Sequence, residues 1–414
     1  MTLHPSAHHP HQAPTLLRRC GTLLLALSLA AGLSACASRT VKTTSHTPVI
    51  QETGEIAEDQ LMDVSIGQFD PGLDQAADDD DLVIFPEIRK AETRFVPYLL
   101  METLQTSAAW GAVRVVPNEQ SATDVYVKGE IINSDGENLK LSVQVKDATG
   151  REWFTRTYED MASRYAYDPK KKLLNDPFQG IYNRIANDML RWRRENLSRT
   201  DITNLRTVAE LKFAESFAPQ NFDGHLEQDR KGHYTIKRLP ADGDPMLARI
   251  RQIRERDYLF VDTLQDYYGS FVKEMEGHYQ QWRSLSYDEV IALREMQREA
   301  RNRKIMGIAA ILGGIAAAGG DGGATRAAGQ VAVAAGGYMV KSGYDKSSES
   351  KMHLEALQEL GDSLEAQIEP QVIDLEDRTI TLSGTVENQY DQWRGILRDL
   401  YQLETGNAAV PAVP

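Results

Sequence analysis

The side chains best suited to chemistry in this 414-residue chain are few and do not converge by spacing. Beyond the first 35 residues the histidines are His46, His225, His233, His278 and His353. None has a second His or Cys at metal-ligand spacing, and no H-E-x-x-H occurs. No serine sits in G-x-S-x-G, and Gly319–Gly323 lacks the Lys-Ser/Thr that completes a phosphate loop. The acid pairs Asp135/Glu137 and Glu376/Asp377 fall at turns, where solvated acids are the rule. A glycosidase needs two facing carboxylates, and no spacing among 60 acids shows such a pair. Asp78–Asp81 is a run of aspartates without the spaced ligands and glycine of a calcium loop. The expectation is a protein that is not an enzyme, with no catalytic residue, no metal site and no cofactor.

One cysteine stands out by its position. Arg18-Arg19 precedes an apolar run, Leu23 to Leu33, of signal-peptide length and too short to span a bilayer. It closes in Leu33-Ser34-Ala35-Cys36. This sequence resembles the lipobox of bacterial lipoproteins. The resemblance implies that Cys36 carries lipid, that 1–35 is a cleaved signal peptide and that the remainder lies outside the cytoplasm. Several acyl chains on one residue anchor stably where a single chain holds only marginally. Residues Ala37 and Ser38 lack the Asp that often marks inner-membrane retention in that family. The implied site is therefore the cell outer membrane, lipid-anchored and facing the periplasm. Cys20 lies within the leader, which leaves no disulfide and no C-x-x-C pair in the mature chain.

Composition narrows the class. At 41% hydrophobic and 26% charged residues the chain has enough apolar material for a core. Its net charge of −14 becomes −16 once Arg18 and Arg19 are removed, which repels nucleic-acid phosphate. Partners are expected instead in the membrane and among envelope proteins, with a homo-oligomer as a further option.

The elements that would position any site read as α+β. Residues 36–81 contain no Lys or Arg after Lys42, and their recurring acids suggest a disordered acidic tether. An α/β domain is expected over 82–199. It starts with a strand at Leu82–Phe85 and a helix over 88–106 in which Pro97 can introduce a kink. Strands follow at Val113–Val116, Asp124–Ile132, Leu139–Val145 and Glu152–Tyr158, joined by turns at Asn133–Gly136 and Asp147–Gly150. A helix over 176–197 covers the sheet, giving a small sandwich. Its order of elements loosely resembles small lipoprotein domains of envelope machinery, including lipid-transport auxiliaries and the curli-export lipoprotein.

Residues 200–304 read as a helical region. It has a polar stretch with a hairpin at Lys231-Gly232 and a break near Ser284-Leu285-Ser286, where Ser286 or Asp288 can cap a new helix. Tyr258, Phe260, Leu264, Tyr267, Phe271, Met275, Tyr279 and Trp282 fall at helical spacing and are assigned to core. Residues 305–345 are Gly/Ala-rich, with two apolar arms flanking Gly319–Gly323. Small residues four and seven apart, with Gly313, Gly314, Gly329 and Gly336 among them, let helices approach closely. The segment resembles glycine-zipper segments of outer-membrane lipoproteins. That implies a helical hairpin making membrane or oligomer contact through those four glycines.

The last unit, 346–407, reads as helix 352–368, strand Gln371–Leu375, strand Thr379–Val386 and helix 388–403. Ile380-Thr-Leu-Ser-Gly-Thr-Val386 after a helix and a strand resembles the BON domain, a small envelope module implicated in binding phospholipid or envelope partners. The chain lacks that family's final Gly-Val strand, so an αββα module is expected, followed by a disordered tail at 408–414. Together these features suggest a non-enzymatic, lipid-anchored periplasmic scaffold or accessory subunit in envelope assembly, lipid handling or transport. The competing readings are an oligomeric pore or secretion-channel component built on the Gly/Ala hairpin and, less favoured, an envelope hydrolase.

Overall fold

The protein is described from a computed structural model. The chain divides into two units, 1–43 and 44–414. The structure describes residues 47–73, 86–118, 123–163, 165–168, 175–317, 371–375 and 378–405, all in the second unit. Cys36 and the signal peptide, the strand expected at 82–85, Gly329, Gly336, the helix expected at 352–368 and the tail at 408–414 lie outside the described residues.

The fold is α+β, built on a five-stranded mixed sheet with several helices. Strand β1 (Val64–Gly67) is followed by helix α1 (Pro86–Thr106) and β2 (Val113–Val116). The meander β3 (Val125–Ser134), β4 (Asn138–Asp147) and β5 (Glu152–Met161) completes the sheet. Its order is β2-β1-β3-β4-β5, parallel where β1 meets β2 and β3 and antiparallel from β3 to β5. Along β4, Leu139, Leu141, Val143 and Val145 are buried, while Lys140, Ser142 and Gln144 are only partly so. This period of two leaves one face for the core. The meander, its turns and the covering helix α2 (Gln179–Asn196) agree with the sequence pattern.

The acidic segment is where the structure departs most from expectation. Residues 47–73, read as part of a disordered tether, are folded into the body. Met62, Val64, Ile66 and Phe69 are at most 2% exposed, and β1 pairs on both sides. Burial of these four apolar side chains outweighs the self-repulsion of the surrounding acids. Upstream, Asn187 of α2 accepts from the Ile50 amide at 2.7 Å and donates to the Pro48 carbonyl at 2.9 Å. Glu52 pairs with Arg194 at 2.6 Å. Proline chemistry fixes the exit from β1. Pro97 has no N–H to offer the Thr93 carbonyl one turn back in α1, and the Phe69 amide takes that acceptor at 3.0 Å.

Helix α3 (Arg199–Phe217) starts at a capping box between Ser198 and Asp201. A short α4 (Pro219–Phe222) and the hairpin β6 (Leu226–Gln228) and β7 (Tyr234–Ile236) follow, the hairpin where Lys231-Gly232 predicted one. Helix α5 then runs unbroken from Pro245 to Ala317. The break near Ser284–Ser286 is absent because Ser286 does not cap a new helix. It is buried, and its hydroxyl donates to the Asp135 carbonyl at 2.7 Å. The boundary at 304/305 dissolves for the same reason, since the first Gly/Ala arm is the continuation of α5 through 317.

Along α5, Phe260, Leu264, Phe271, Met275, Tyr279 and Trp282 are buried, as the aromatic stripe predicted, whereas Tyr258 and Tyr267 are only half-buried. Gln265 closes the free edge of β2. Its Oε1 accepts from the Val115 amide at 2.9 Å and its Nε2 donates to the Val115 carbonyl at 2.8 Å. At the C-terminus β8 (Gln371–Leu375) and β9 (Arg378–Leu382) form the expected hairpin, followed by α6 (Val386–Glu404). That end does not stand apart as its own module. Val386, Tyr390, Trp393, Leu397 and Tyr401 belong to the same apolar cluster as the sheet, and the Trp393 ring stacks on Phe260 at 5.2 Å.

Candidate functional site

Of the residues singled out from sequence, Gly313 and Gly314 lie near the end of α5; Cys36, Gly329 and Gly336 are outside the described residues. Among the described residues no helix is long and apolar enough to cross a membrane, and no group of His, Cys, Asp and Glu is arranged to hold a metal. His225 Nδ1 meets the Arg238 carbonyl at 2.8 Å, and His233 Nδ1 meets Asp229 at 3.2 Å. Both histidines thus have local bonding roles.

Two assemblies of buried charge flank the sheet. The first clamps α5. Arg283 has a fully buried side chain and donates to Asp176 at 2.6 Å and to the Tyr279 hydroxyl at 2.7 Å. Tyr279 in turn donates to Glu92 of α1, which also accepts from Ser134 at 2.5 Å. The guanidinium lies over the Tyr279 ring at 3.9 Å and near the Phe178 ring at 4.9 Å. Burial pulls the Arg283 pKa down, yet Asp176 and the tyrosines more than reverse this and hold it above its ordinary value. The β3–β4 turn packs against the same point of α5. A Cβ on Gly136, at φ +82°, would stand 2.6 Å from the Arg283 carbonyl oxygen.

The second assembly surrounds an open cleft of about 450 Å³ where α3 and α5 cross the starts of β1 and β3. Asp63 and Asp124 each immediately precede a strand, and Val64 and Val125 are partners in the parallel register. Asp63 Oδ1 accepts from the Ala112 amide at 2.9 Å. Asp124 Oδ2 accepts from the Asp63 amide at 2.9 Å and lies 3.9 Å from Arg206 Nε. Asp124 Oδ1 is buried with no hydrogen-bond partner. Burial raises the Asp124 pKa to about 6. The Asp63 charge adds to the rise, while the Asp63 amide, Arg254 and Arg206 oppose it.

Across the cleft, Arg254 Nε donates to the Tyr258 hydroxyl at 2.9 Å. On the rim, Arg251 makes a two-pronged pair with Glu210 at 2.6 and 3.2 Å. Thr203, Arg206, Thr207 and Glu210 recur at i, i+3, i+4 and i+7 on α3, and Arg251, Arg254, Glu255 and Tyr258 do so on α5. Each helix therefore turns one polar face to the cleft. The arrangement can hold a small polar molecule between an acidic floor and guanidinium walls.

Sequence reasoning did not find this site. The signals were present as Asp63-Val-Ser-Ile66 and Asp124-Val-Tyr-Val127, one pattern twice, and as the two polar helical faces. The first copy lay inside the segment read as a tether.

In comparison with known proteins, no family model matches the chain, and no curated protein and no solved structure shows significant similarity to it.

Proposed function

We propose that the protein is a non-enzymatic, lipid-anchored scaffold or accessory subunit of the bacterial envelope, held at the periplasmic face of the outer membrane through Cys36. The leader ending in Leu33-Ser-Ala-Cys36 supports the anchor. The observation that carries the scaffold reading is the continuity of α5. Its core-facing residues Ile250, Ile253, Val261 and Leu264 are buried, and the same helix runs on to Ala317. At ~1.5 Å per residue, a helix of 73 residues is a rod of ~110 Å. The first Gly/Ala arm, with Gly313 and Gly314, is thus the far part of a helix gripped by a folded body. Such a body can present that arm, and the segment that continues it, to a bilayer or to another copy of itself. The C-terminal portion resembling a BON domain contributes a further contact for lipid or an envelope partner.

Metabolic labelling with a palmitate analogue in a Gram-negative host tests the anchor. Label is expected on the parent and not on Cys36→Ser, and an unlabelled parent removes the anchor from the proposal. Liposome flotation of Cys36→Ser with and without residues 305–340 tests the arm. Flotation that depends on the segment supports bilayer contact, and equal behaviour refutes it. The pore reading predicts a defined oligomer in native mass spectrometry from detergent. A strict monomer eliminates it.

A further inference from the structure

We propose that the cleft between Asp124 and Arg254 binds a small zwitterion carrying one ammonium and one carboxylate group, of the amino-acid or short-peptide class. Two groups with opposite needs line the same cleft. Asp124, whose side chain is 3% exposed, carries an oxygen that accepts nothing from the protein. A buried carboxylate oxygen without a donor is costly, so a donor brought to this carboxylate is stabilising. Arg254 uses only its Nε, on Tyr258, and its two terminal nitrogens have no protein acceptor among the described residues. The two side chains do not pair with each other. The ion pair that Asp124 does have, with Arg206, is loose at 3.9 Å, and Arg206 spends Nη1 on the Glu58 carbonyl at 2.6 Å.

The charge balance selects among ligands. A divalent cation would face Arg206 and Arg254 at short range and finds no converging set of three acidic or imidazole ligands among the described residues. A simple anion would meet Asp63 and Asp124. A molecule whose ammonium lies over the acidic floor of Asp63 and Asp124 and whose carboxylate reaches the Arg254 terminal nitrogens satisfies both ends at once. Charge-assisted hydrogen bonds of this kind are the strong ones, and a guanidinium can take a carboxylate with two parallel bonds. A volume of about 450 Å³ lies within the usual range for small-ligand sites and admits a short peptide as well as a single amino acid.

Calorimetric titration of the full chain in detergent with L-alanine and L-alanyl-L-alanine tests the assignment, using N-acetyl and C-terminal amide forms of the dipeptide as controls. The free dipeptide is expected to bind, and each blocked form to bind at least ten-fold more weakly. In Asp124→Asn the free and N-acetylated dipeptides should become equivalent. In Arg254→Gln the free and amidated forms should do so. Those two specific equivalences follow from charge recognition and not from a general loss of folding. The proposal is overturned if neither free probe binds, or if either blocking group leaves affinity unchanged. It is also overturned if both variants lose binding without changing the preference among the forms.

Discussion

The Arg283 clamp and the Asp124 cleft are built from the same materials and differ in how they are closed. In the clamp a buried guanidinium touches a carboxylate at 2.6 Å and a hydroxyl at 2.7 Å, with aromatic rings on its faces. In the cleft a buried carboxylate and a guanidinium share a space without touching. Burying charge is expensive in both places. Where the charges complete one another, the arrangement fixes the position of a helix. Where they are left apart beside a gap, bonding capacity goes unspent.

The contrast can be broken most decisively at Arg283. Replacing it by Met strands Asp176 among buried groups, and a loss of about 3–5 kcal/mol in denaturant unfolding is expected. A loss below ~1 kcal/mol would mean that the clamp does not hold α5. At Asp124 the sign reverses. Its carboxyl titrates near 6 in the folded protein against an ordinary 3.8, so the native state binds the proton more tightly than the unfolded chain. The acid imposes no penalty below about pH 4. Stability falls as pH rises from about 4 to 6, and above that the ionised group costs up to ~3 kcal/mol. Asp124→Asn is therefore expected to unfold at higher denaturant than the parent at pH 7.5, with no advantage at pH 4. Equal midpoints at pH 7.5 would place Asp124 among the satisfied charges. The smallest effect belongs to the cleft rim. The exposed Arg251–Glu210 pair should contribute less than ~1 kcal/mol, so Glu210→Gln should barely move the midpoint.

What could be read from the sequence was whatever depends on neighbours in the chain. The β3–β5 meander alternates visibly, its turns carry Gly136 and Gly150, and the aromatic stripe of α5 keeps helical spacing. The β1 strand was hidden because its apolar residues sit among acids and its partners lie far along the chain. Val64 pairs with Val113 and with Val125, and no local pattern announces that. Ser284 and Ser286 looked like a helix boundary because serine commonly caps. Only the distant Asp135 carbonyl shows why Ser286 sits within a helix. The cleft was missed for a related reason. Asp63, Asp124, Arg206 and Arg254 come from four separated stretches of sequence, and neither the repeated Asp-Val pattern nor the two polar helical faces says that the four meet.

The stacking of Trp393 on Phe260 carries a consequence for how the protein is made. The helix that closes the apolar cluster is synthesised after both β1 and the stretch of α5 that it covers. Phe260, Val261 and Leu264 emerge well before the ring that covers Phe260. A chain ending before Val386 would expose that surface permanently. Completion of the core therefore waits until synthesis has passed α6. A copy terminated before α6 bears a sticky apolar face from which quality-control proteases can tell it from one that carries the helix.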